Sequence, residues 1–238
     1  VQASELPMVA TDGTRAAVAV DGDIYLYVKN ASNQWLLDAT IASGASQRLT
    51  DLEIESNRLY ACWDDQIRVF EKQSGLWQEM ISKQAPSTIK ELHASTDDMI
   101  IVTETAIWAY SYPFAADGDF VHVFGTGEGL QAAIDGDTLV VAEAAGYVYG
   151  FYNTLLPGQV FIYERSGSSW IQSQTLVALD TRPDDYFGTD VSIDNGLILV
   201  GAPGHDNQGI DTGAAYVYRN MNSNWEASGK IYPRRALA

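Results

Sequence analysis

The sequence contains a single cysteine, Cys62, and only 14 lysines and arginines against 31 aspartates and glutamates. One cysteine cannot form a disulfide within the chain, so we expect Cys62 to be a small buried residue of a strand. The net charge of −17 repels phosphate backbones and anionic headgroups, so we expect no nucleic acid and no membrane surface as partner. No apolar run approaches the roughly 20 residues that cross a bilayer, and no secretion signal is recognisable in the sequence.

Helical periodicity is also missing, and short runs of alternating apolar and polar residues take its place. In residues 186–232 four such runs are joined by polar turns, of which Asp194-Asn195-Gly196 is the clearest. Asn-Gly supplies the positive backbone φ values that a two-residue hairpin needs. The stretch "YNTLLPGQ" could hold one helical turn at most. The sequence therefore predicts an all-β fold.

The same order of strands and turns recurs five times along the chain. We place the repeat units at residues 8–41, 49–82, 89–125, 130–178 and 186–232. An aromatic residue follows the last turn of each unit and is expected to pack between neighbouring units. These aromatics are Trp35, Trp77, Phe120, Trp170 and Trp225.

Five units of four short strands predict a single β-propeller domain over residues 1–238. The chain begins within its first unit and ends on a strand led by Trp225, so we expect that C-terminal strand to complete the first blade and close a ring of five blades. The alternative is a seven-bladed propeller.

The fifth unit resembles an FG-GAP repeat of the short bacterial kind, which is distantly similar to the integrin α-subunit propeller. The residues that carry the resemblance are Phe187-Gly188, Asp194-Asn195-Gly196, Gly201-Ala202-Pro203-Gly204, Gly213-Ala214-Ala215-Tyr216-Val217-Tyr218 and Trp225. The fourth unit resembles the repeat in part, and the specific part covers residues 130–232. The resemblance implies a propeller and a secreted, cell-surface or periplasmic protein with an interaction or adhesion role.

Integrin-type blades also hold calcium in a loop rich in Asp and Asn, so the resemblance implies calcium. The loop "GHDNQGIDTG" has Asp206, Asn207 and Asp211, but not at the alternate spacing of the integrin-type site. We expect that a bound cation would use these three residues together with backbone carbonyls.

Aromatic residues outside the repeated positions are the candidate ligand contacts. Loop aromatics beside acids and amides stack on sugar rings and also form protein interfaces. The candidates are Trp63, Trp108, Tyr110, Tyr147, Phe151 and Tyr152. Because they differ between units, they favour one binding site, and a protein partner slightly over a glycan.

No catalytic motif stands out from the repeat, so we expect no enzyme. His205 lies beside Asp206 without a further ligand at metal-binding spacing, and acidic pairs such as Asp184-Asp185 are expected to be exposed. The function predicted is a non-catalytic extracellular interaction or adhesion module that binds a protein or a glycan through loops on one face. The alternatives are a polysaccharide-cleaving enzyme with two facing carboxyls and a structural subunit of a surface assembly.

Overall fold

The computed structural model describes most of the chain. Its described residues are 7–42, 49–85, 87–95, 98–103, 106–111, 122–126, 129–144, 146–148, 154–156, 158–167, 169–206 and 212–233. Contacts divide the chain into two compact units, Val1–Thr103 with Ala109–Phe120, and Glu104–Trp108 with Val121–Ala238. Within the described residues there are strands and one short 3-10 turn but no α-helix, as the alternating pattern predicts.

The first two sheets are antiparallel meanders in which each strand pairs with the next strand along the chain. The first sheet contains β1 (Met8–Thr11), β2 (Arg15–Val20), β3 (Asp23–Lys29) and β4 (Trp35–Ile41). The second contains β5 (Leu49–Glu55), β6 (Arg58–Trp63), β7 (Gln66–Gln73) and β8 (Leu76–Gln84). Short turns enforce this order, because a hairpin can only pair neighbours in the chain.

The third sheet continues the series. Its strands are β9 (Ile89–Ala94), β10 (Asp98–Thr103), β11 (Ala106–Ser111) and β12 (His122–Thr126), and they lie side by side in chain order.

The fourth and fifth sheets complete a set of five four-stranded sheets. The fourth contains β13 (Leu130–Asp135), β14 (Thr138–Glu143), β17 (Gln159–Ser166) and β18 (Ser169–Leu176). Between β14 and β17 the chain forms a separate two-stranded ribbon, β15 (Gly146–Val148) and β16 (Thr154–Leu156). The fifth contains β19 (Val191–Asp194), β20 (Leu197–Ala202), β21 (Ala214–Asn220) and β22 (Trp225–Ile231). The five predicted repeat units therefore each correspond to one four-stranded sheet.

The turn prediction for Asp194-Asn195-Gly196 is confirmed. Asp194 pairs with Leu197, and the two residues between them have positive φ angles of 47° at Asn195 and 73° at Gly196. A repeated bulge was not predicted: the last two strands of four sheets lose register at Tyr27, Phe70, Tyr163 and Tyr218. An unpaired residue in the last strand bends that strand and increases its twist.

The prediction that the C-terminal strand completes the first sheet is wrong. The first sheet has four strands from its own residues, and β1 pairs with β2 from Met8 to Thr11. The last strand, β22, pairs with β21 through a tight turn in which Met221 N donates to Asn224 O at 2.7 Å. Because this turn pairs β22 with β21, β22 belongs to the fifth sheet and not to the first. Whether the chain is one five-bladed domain stays a prediction.

Each compact unit has its own buried core. In the first unit the first and second sheets share a cluster that includes Ala17, Ile24, Leu26, Leu52, Ile54, Leu59 and Trp63. In the second unit the fourth and fifth sheets share a cluster that includes Val140, Ile162, Phe187, Ile198, Val200, Tyr216 and Trp225. Cys62 is fully buried, as expected. Trp35 is 44% exposed, so the prediction that every post-turn aromatic packs in the core is wrong for Trp35.

Candidate binding site

The link between the fourth and fifth sheets folds back onto the Gly-Ala-Pro-Gly loop. A 3-10 turn over Pro183–Asp185 precedes the buried Phe187. Gly204 N donates to Asp185 O at 3.1 Å, and a Cβ at Gly204 would lie 2.1 Å from Asp184 O. Only glycine fits such an approach of two backbones. The two ends of the FG-GAP-like stretch therefore meet in space.

Asp185 and His205 form a buried pair at this junction. His205 Nδ1 lies 3.0 Å from Asp185 Oδ2, which also accepts from Arg182 N at 3.0 Å. Because a carboxylate only accepts hydrogen bonds, we assign the proton to Nδ1 of His205. The Tyr232 ring stacks on the imidazole with 6.2 Å between ring centroids. The prediction that the Asp184-Asp185 pair is exposed is therefore wrong for Asp185, whose carboxylate connects two loops.

Lys230 joins this junction to a second acid. Its ammonium forms an ion pair with Asp180 and lies 3.5 Å from His205 Nε2. It also lies 4.4 Å from the centre of the Tyr216 ring, whose hydroxyl donates to Asp180 Oδ1 at 3.1 Å. The hydrogen bond from Lys230 lowers the pKa of Asp180, and burial raises the pKa of Tyr216 to about 12. Asp180 and Lys230 therefore form an ion pair at this junction.

A cleft of about 450 Å³ opens beside Asp180 and Lys230, and we call it the β22 cleft. One wall is the end of β18 with the residues that follow it, 174–180, and the other wall is β22. The buried rings of Tyr216, Tyr218 and Trp225 contribute to its lining. Its size lies in the range of ligand-binding clefts, and most of its lining is apolar.

A second cleft of about 410 Å³ lies beside the Gly-Ala-Pro loop. Its lining combines small residues of that loop with the end of the fifth sheet and includes Asp190, Gly201, Pro203, Ala215, Ile231 and Tyr232. Both clefts are lined by residues near the end of β22, Gly229 and Lys230 in the first and Ile231 and Tyr232 in the second.

Three of the predicted ligand aromatics have described side chains, and two of them are buried. Trp63 is 1% exposed at the end of β6, with the Arg68 guanidinium 5.0 Å from its ring centre. Tyr110 is buried with Lys83 Nζ 4.8 Å from its ring centre, and Trp108 is half-buried. Burial leaves Trp63 and Tyr110 no free ring face, so their placement gives the ligand prediction no support.

The remaining predicted ligand residues lie where the structure describes no side chain. The backbone of Tyr147 belongs to β15, but its side chain is outside the described residues, as are Phe151 and Tyr152 altogether.

The predicted cation ligands are described at one position only. Asp206 is exposed and lies 4.0 Å from the Arg182 guanidinium, while Asn207 and Asp211 are outside the described residues. Within the described part of the chain no group of three His, Cys, Asp or Glu side chains is arranged to hold a metal ion. The cation site stays a prediction.

A separate acidic cluster lies in the first compact unit, where β5 of the second sheet contacts β9 of the third. Asp51 Oδ2 accepts from Leu92 N at 2.7 Å, and Glu91 Oε2 lies 3.6 Å from His93 Nε2. Burial raises the pKa of Asp51 and raises that of Glu53 to about 7. Burial alone would lower the pKa of His93, but Glu91 and Glu53 raise it. Perturbed acids of this kind occur at functional sites and also in structural networks.

Sequence reasoning missed most residues that line the β22 cleft. Gln174, Leu179 and Lys230 belong to no motif, and Asp180 lies in the link between two units. In the sequence, Trp225 and Tyr218 stand out only as residues of the repeat. The sequence feature that indicates this region is the long link "LDTRPDDYFG" between the fourth and fifth repeat units.

Residues 170–218, from the last strand of the fourth unit into the fifth unit, match the family model of the FG-GAP repeat, which confirms the recognition of this repeat in the chain. None of the curated proteins matches the chain.

Solved structures of the propeller type resemble the fold. A structure of Hsv2 from Kluyveromyces lactis with a complete loop 6CD has 8% identity and a TM-score of 0.62, covering 95% of this chain and 62% of that one. The same protein with loop 6CD replaced by a Gly-Ser linker has 10% identity and a TM-score of 0.63, covering 97% and 66%.

A structure of Saccharomyces cerevisiae Dbp5 bound to Nup159, Gle1, IP6 and ADP has 6% identity and a TM-score of 0.57, covering 95% of this chain and 65% of that one. The chain thus spans 62% to 66% of the length of these solved chains. At such identities the likeness concerns the fold alone, and the five four-stranded sheets are consistent with a propeller.

Proposed function

We propose that the protein is a non-catalytic interaction module, secreted or held at the cell surface, which binds a partner protein at the β22 cleft. The observation that carries the proposal is that most residues lining this cleft belong to the recognised repeat. The FG-GAP match over residues 170–218 includes the wall 174–180 and the buried rings of Tyr216 and Tyr218. Clefts formed on a rigid scaffold are common binding sites.

The charged groups beside the cleft favour binding over catalysis. Asp180 is paired with Lys230 and with the Tyr216 hydroxyl, and Asp185 is paired with His205. A general acid or base must be able to exchange its proton with a substrate. Carboxylates that are held by a lysine or by hydrogen-bond donors instead stabilise the shape of the cleft.

The exposed apolar rim favours a protein over a glycan. Leu179 is 99% exposed and Val177 is also exposed, and both line the cleft. A sugar ring needs an open aromatic face, whereas the rings of Tyr216, Tyr218 and Trp225 are buried. Exposed aliphatic side chains around a cleft are typical of protein interfaces.

The proposed location outside the cell follows from the FG-GAP resemblance. No helix among the described residues is long and apolar enough to cross a membrane. The proposed architecture is one propeller with the five sheets as its blades, and the seven-bladed ring is the alternative. An experimental structure that places the sheets around one axis would support the first, and two blades supplied by other residues would support the second.

Capture of partners from the native source tests the binding site. Leu179→Glu should abolish capture of the partner that wild-type protein retains, because it places a charge on the apolar rim. The matched control is Leu76→Glu, since Leu76 is an exposed leucine at the start of β8 in the second sheet. Equal capture by both variants would place the site elsewhere. Binding to a glycan array with no protein captured would make the protein a lectin.

The enzyme alternative has one observation in its favour, the pair of raised pKa values at Asp51 and Glu53. Glycoside hydrolysis uses a pair of carboxyls, of which the general acid has a raised pKa. Incubation with a panel of polysaccharides tests it. Turnover that Glu53→Gln abolishes would replace the interaction proposal with a hydrolase.

Calcium binding through the loop at residues 204–213 is a separate proposal, supported by the FG-GAP resemblance. Calcium titration by calorimetry should release heat that is lost when Asp206 and Asp211 are both replaced by Ala. Heat that survives the double substitution would assign the cation to other ligands.

A further inference from the structure

At the outer edge of β22, the side-chain amide of Gln174 makes the two hydrogen bonds to Trp225 that the backbone of a neighbouring strand would make. Gln174 Oε1 accepts from Trp225 N at 2.8 Å, and Gln174 Nε2 donates to Trp225 O at 2.7 Å. A neighbouring antiparallel strand would make the same two bonds to a residue that points its N–H and C=O outward. The peptide group of Trp225 therefore faces away from β21 and toward the cleft.

The next outward-facing residue of β22 lies inside the cleft. Residues of an antiparallel strand alternate in the side to which they direct N–H and C=O, so Ala227 faces outward like Trp225. Ala227 is exposed and lines the cleft, and so does Gly229 beyond the bulge at Ser228. The opposite wall, residues 174–180, begins in the outer strand of the fourth sheet and ends in a turn at Leu179 and Asp180.

From this geometry we propose that an extended peptide segment of a partner protein adds as a strand to β22 within the β22 cleft. Its backbone pairs with Ala227, and alternate side chains enter the cleft between Leu176 and Tyr218. Addition of a strand to an exposed sheet edge is a common mode of peptide recognition. The inference rests on the proposed function and specifies the chemistry of its partner.

The peptide that fits is basic, with apolar residues at alternate positions. The protein has a net charge of −17, and Glu226 is exposed on β22 next to Ala227, whereas Asp180 is paired with Lys230. A second copy of this chain would bring the same negative charge to the edge, which disfavours pairing of β22 with itself. Lysines that alternate with Val or Ile suit both the negative charge of the chain and the apolar lining of the cleft.

The probe is a fluorescent, acetylated and amidated heptapeptide, Lys-Val-Thr-Val-Lys-Ile-Lys, followed by anisotropy with the full chain. We expect it to bind, and we expect the counterpart with Glu in place of Lys to bind at least tenfold more weakly. Ala227→Pro removes the outward N–H but no bond to β21, and proline is tolerated on edge strands. This variant should weaken peptide binding at least tenfold, whereas the control Ala227→Ser, which keeps the N–H, should not.

A second measurement does not depend on the folding of a variant. N-methylation of every second residue of the peptide should abolish binding in one register and spare it in the other, because one set of N–H groups faces β22. Equal effects in the two registers, unchanged binding to Ala227→Pro, or no binding of the basic peptide would each overturn the inference. A natural partner whose capture needs Leu179 but not the Ala227 N–H would overturn strand addition and leave the proposed function standing.

Discussion

Removal of the Asp185 carboxylate should destabilise the second compact unit, which contains the fourth and fifth sheets, far more than removal of the Asp184 carboxylate. Asp185 is 2% exposed and accepts from His205 Nδ1 and from Arg182 N. In Asp185→Ala both donors lose their acceptor, and an unsatisfied buried donor costs about 1–3 kcal/mol. Two such donors together cost about 2–6 kcal/mol. We therefore expect a loss of about 4 kcal/mol.

Thermal unfolding followed by circular dichroism measures this loss. For a chain of this length, 4 kcal/mol corresponds to a decrease in Tm of roughly 8–16 °C. The control is Asp184→Ala, since Asp184 is exposed, and surface substitutions usually stay within about 0.5 kcal/mol. The double variant with His205→Ala should lose less than the sum of the two single variants, because the two residues share one interaction.

Equal Tm values for Asp185→Ala and Asp184→Ala would refute the reasoning. Additive losses in the double variant would mean that His205 and Asp185 stabilise the loops independently. Either result would remove the assignment of this pair as the connection between the two loops.

Three further predictions concern stability. Gly204→Ala should prevent the Gly-Ala-Pro-Gly loop from packing on the link at Asp184, because the added Cβ would lie 2.1 Å from Asp184 O. This variant should lower Tm by more than Asp185→Ala, and an unchanged Tm would contradict the close approach of the two backbones. Trp170→Ala should cost about 3–5 kcal/mol in urea unfolding, since Trp170 is 5% exposed, and Trp35→Ala less than half of that. Because burial raises the pKa of Glu53 from 4.5 to about 7, the folded state binds the extra proton, and stability should fall as pH rises through this window. Glu53→Gln should remove up to roughly 3 kcal/mol of this pH dependence, and parallel pH profiles of the two proteins would contradict the burial of the carboxyl.

The strands and their turns could be predicted from the sequence because both are local properties. Alternation of apolar residues defines which side of a strand is buried, and Asn195-Gly196 adopts the positive φ angles that its hairpin needs. The predicted unit at 130–178 accordingly matches a sheet from Leu130 to Leu176. The FG-GAP resemblance could be recognised for the same reason, since its glycines and aromatics lie close together in the chain.

Tertiary structure alone decided which equivalent residues are buried and which side chains meet. Trp35 and Trp170 follow the same turn in their units, yet one is exposed and the other is core, because burial depends on the neighbouring sheet. Trp63 is apolar and lies near acids in the sequence, but its ring is enclosed by the first unit's core.

The candidate site shows the same division between local and distant determinants. The sequence by itself determined five sheets, the turns that connect their strands and an acidic surface, because each depends on residues adjacent in the chain or on their sum. It could not determine that Asp185 pairs with His205, that Lys230 reaches Asp180, or that Gln174 pairs with the edge at Trp225. These contacts join residues 20 to 51 positions apart, and only the folding of the link onto the fifth sheet and the packing of that sheet against the fourth bring them together.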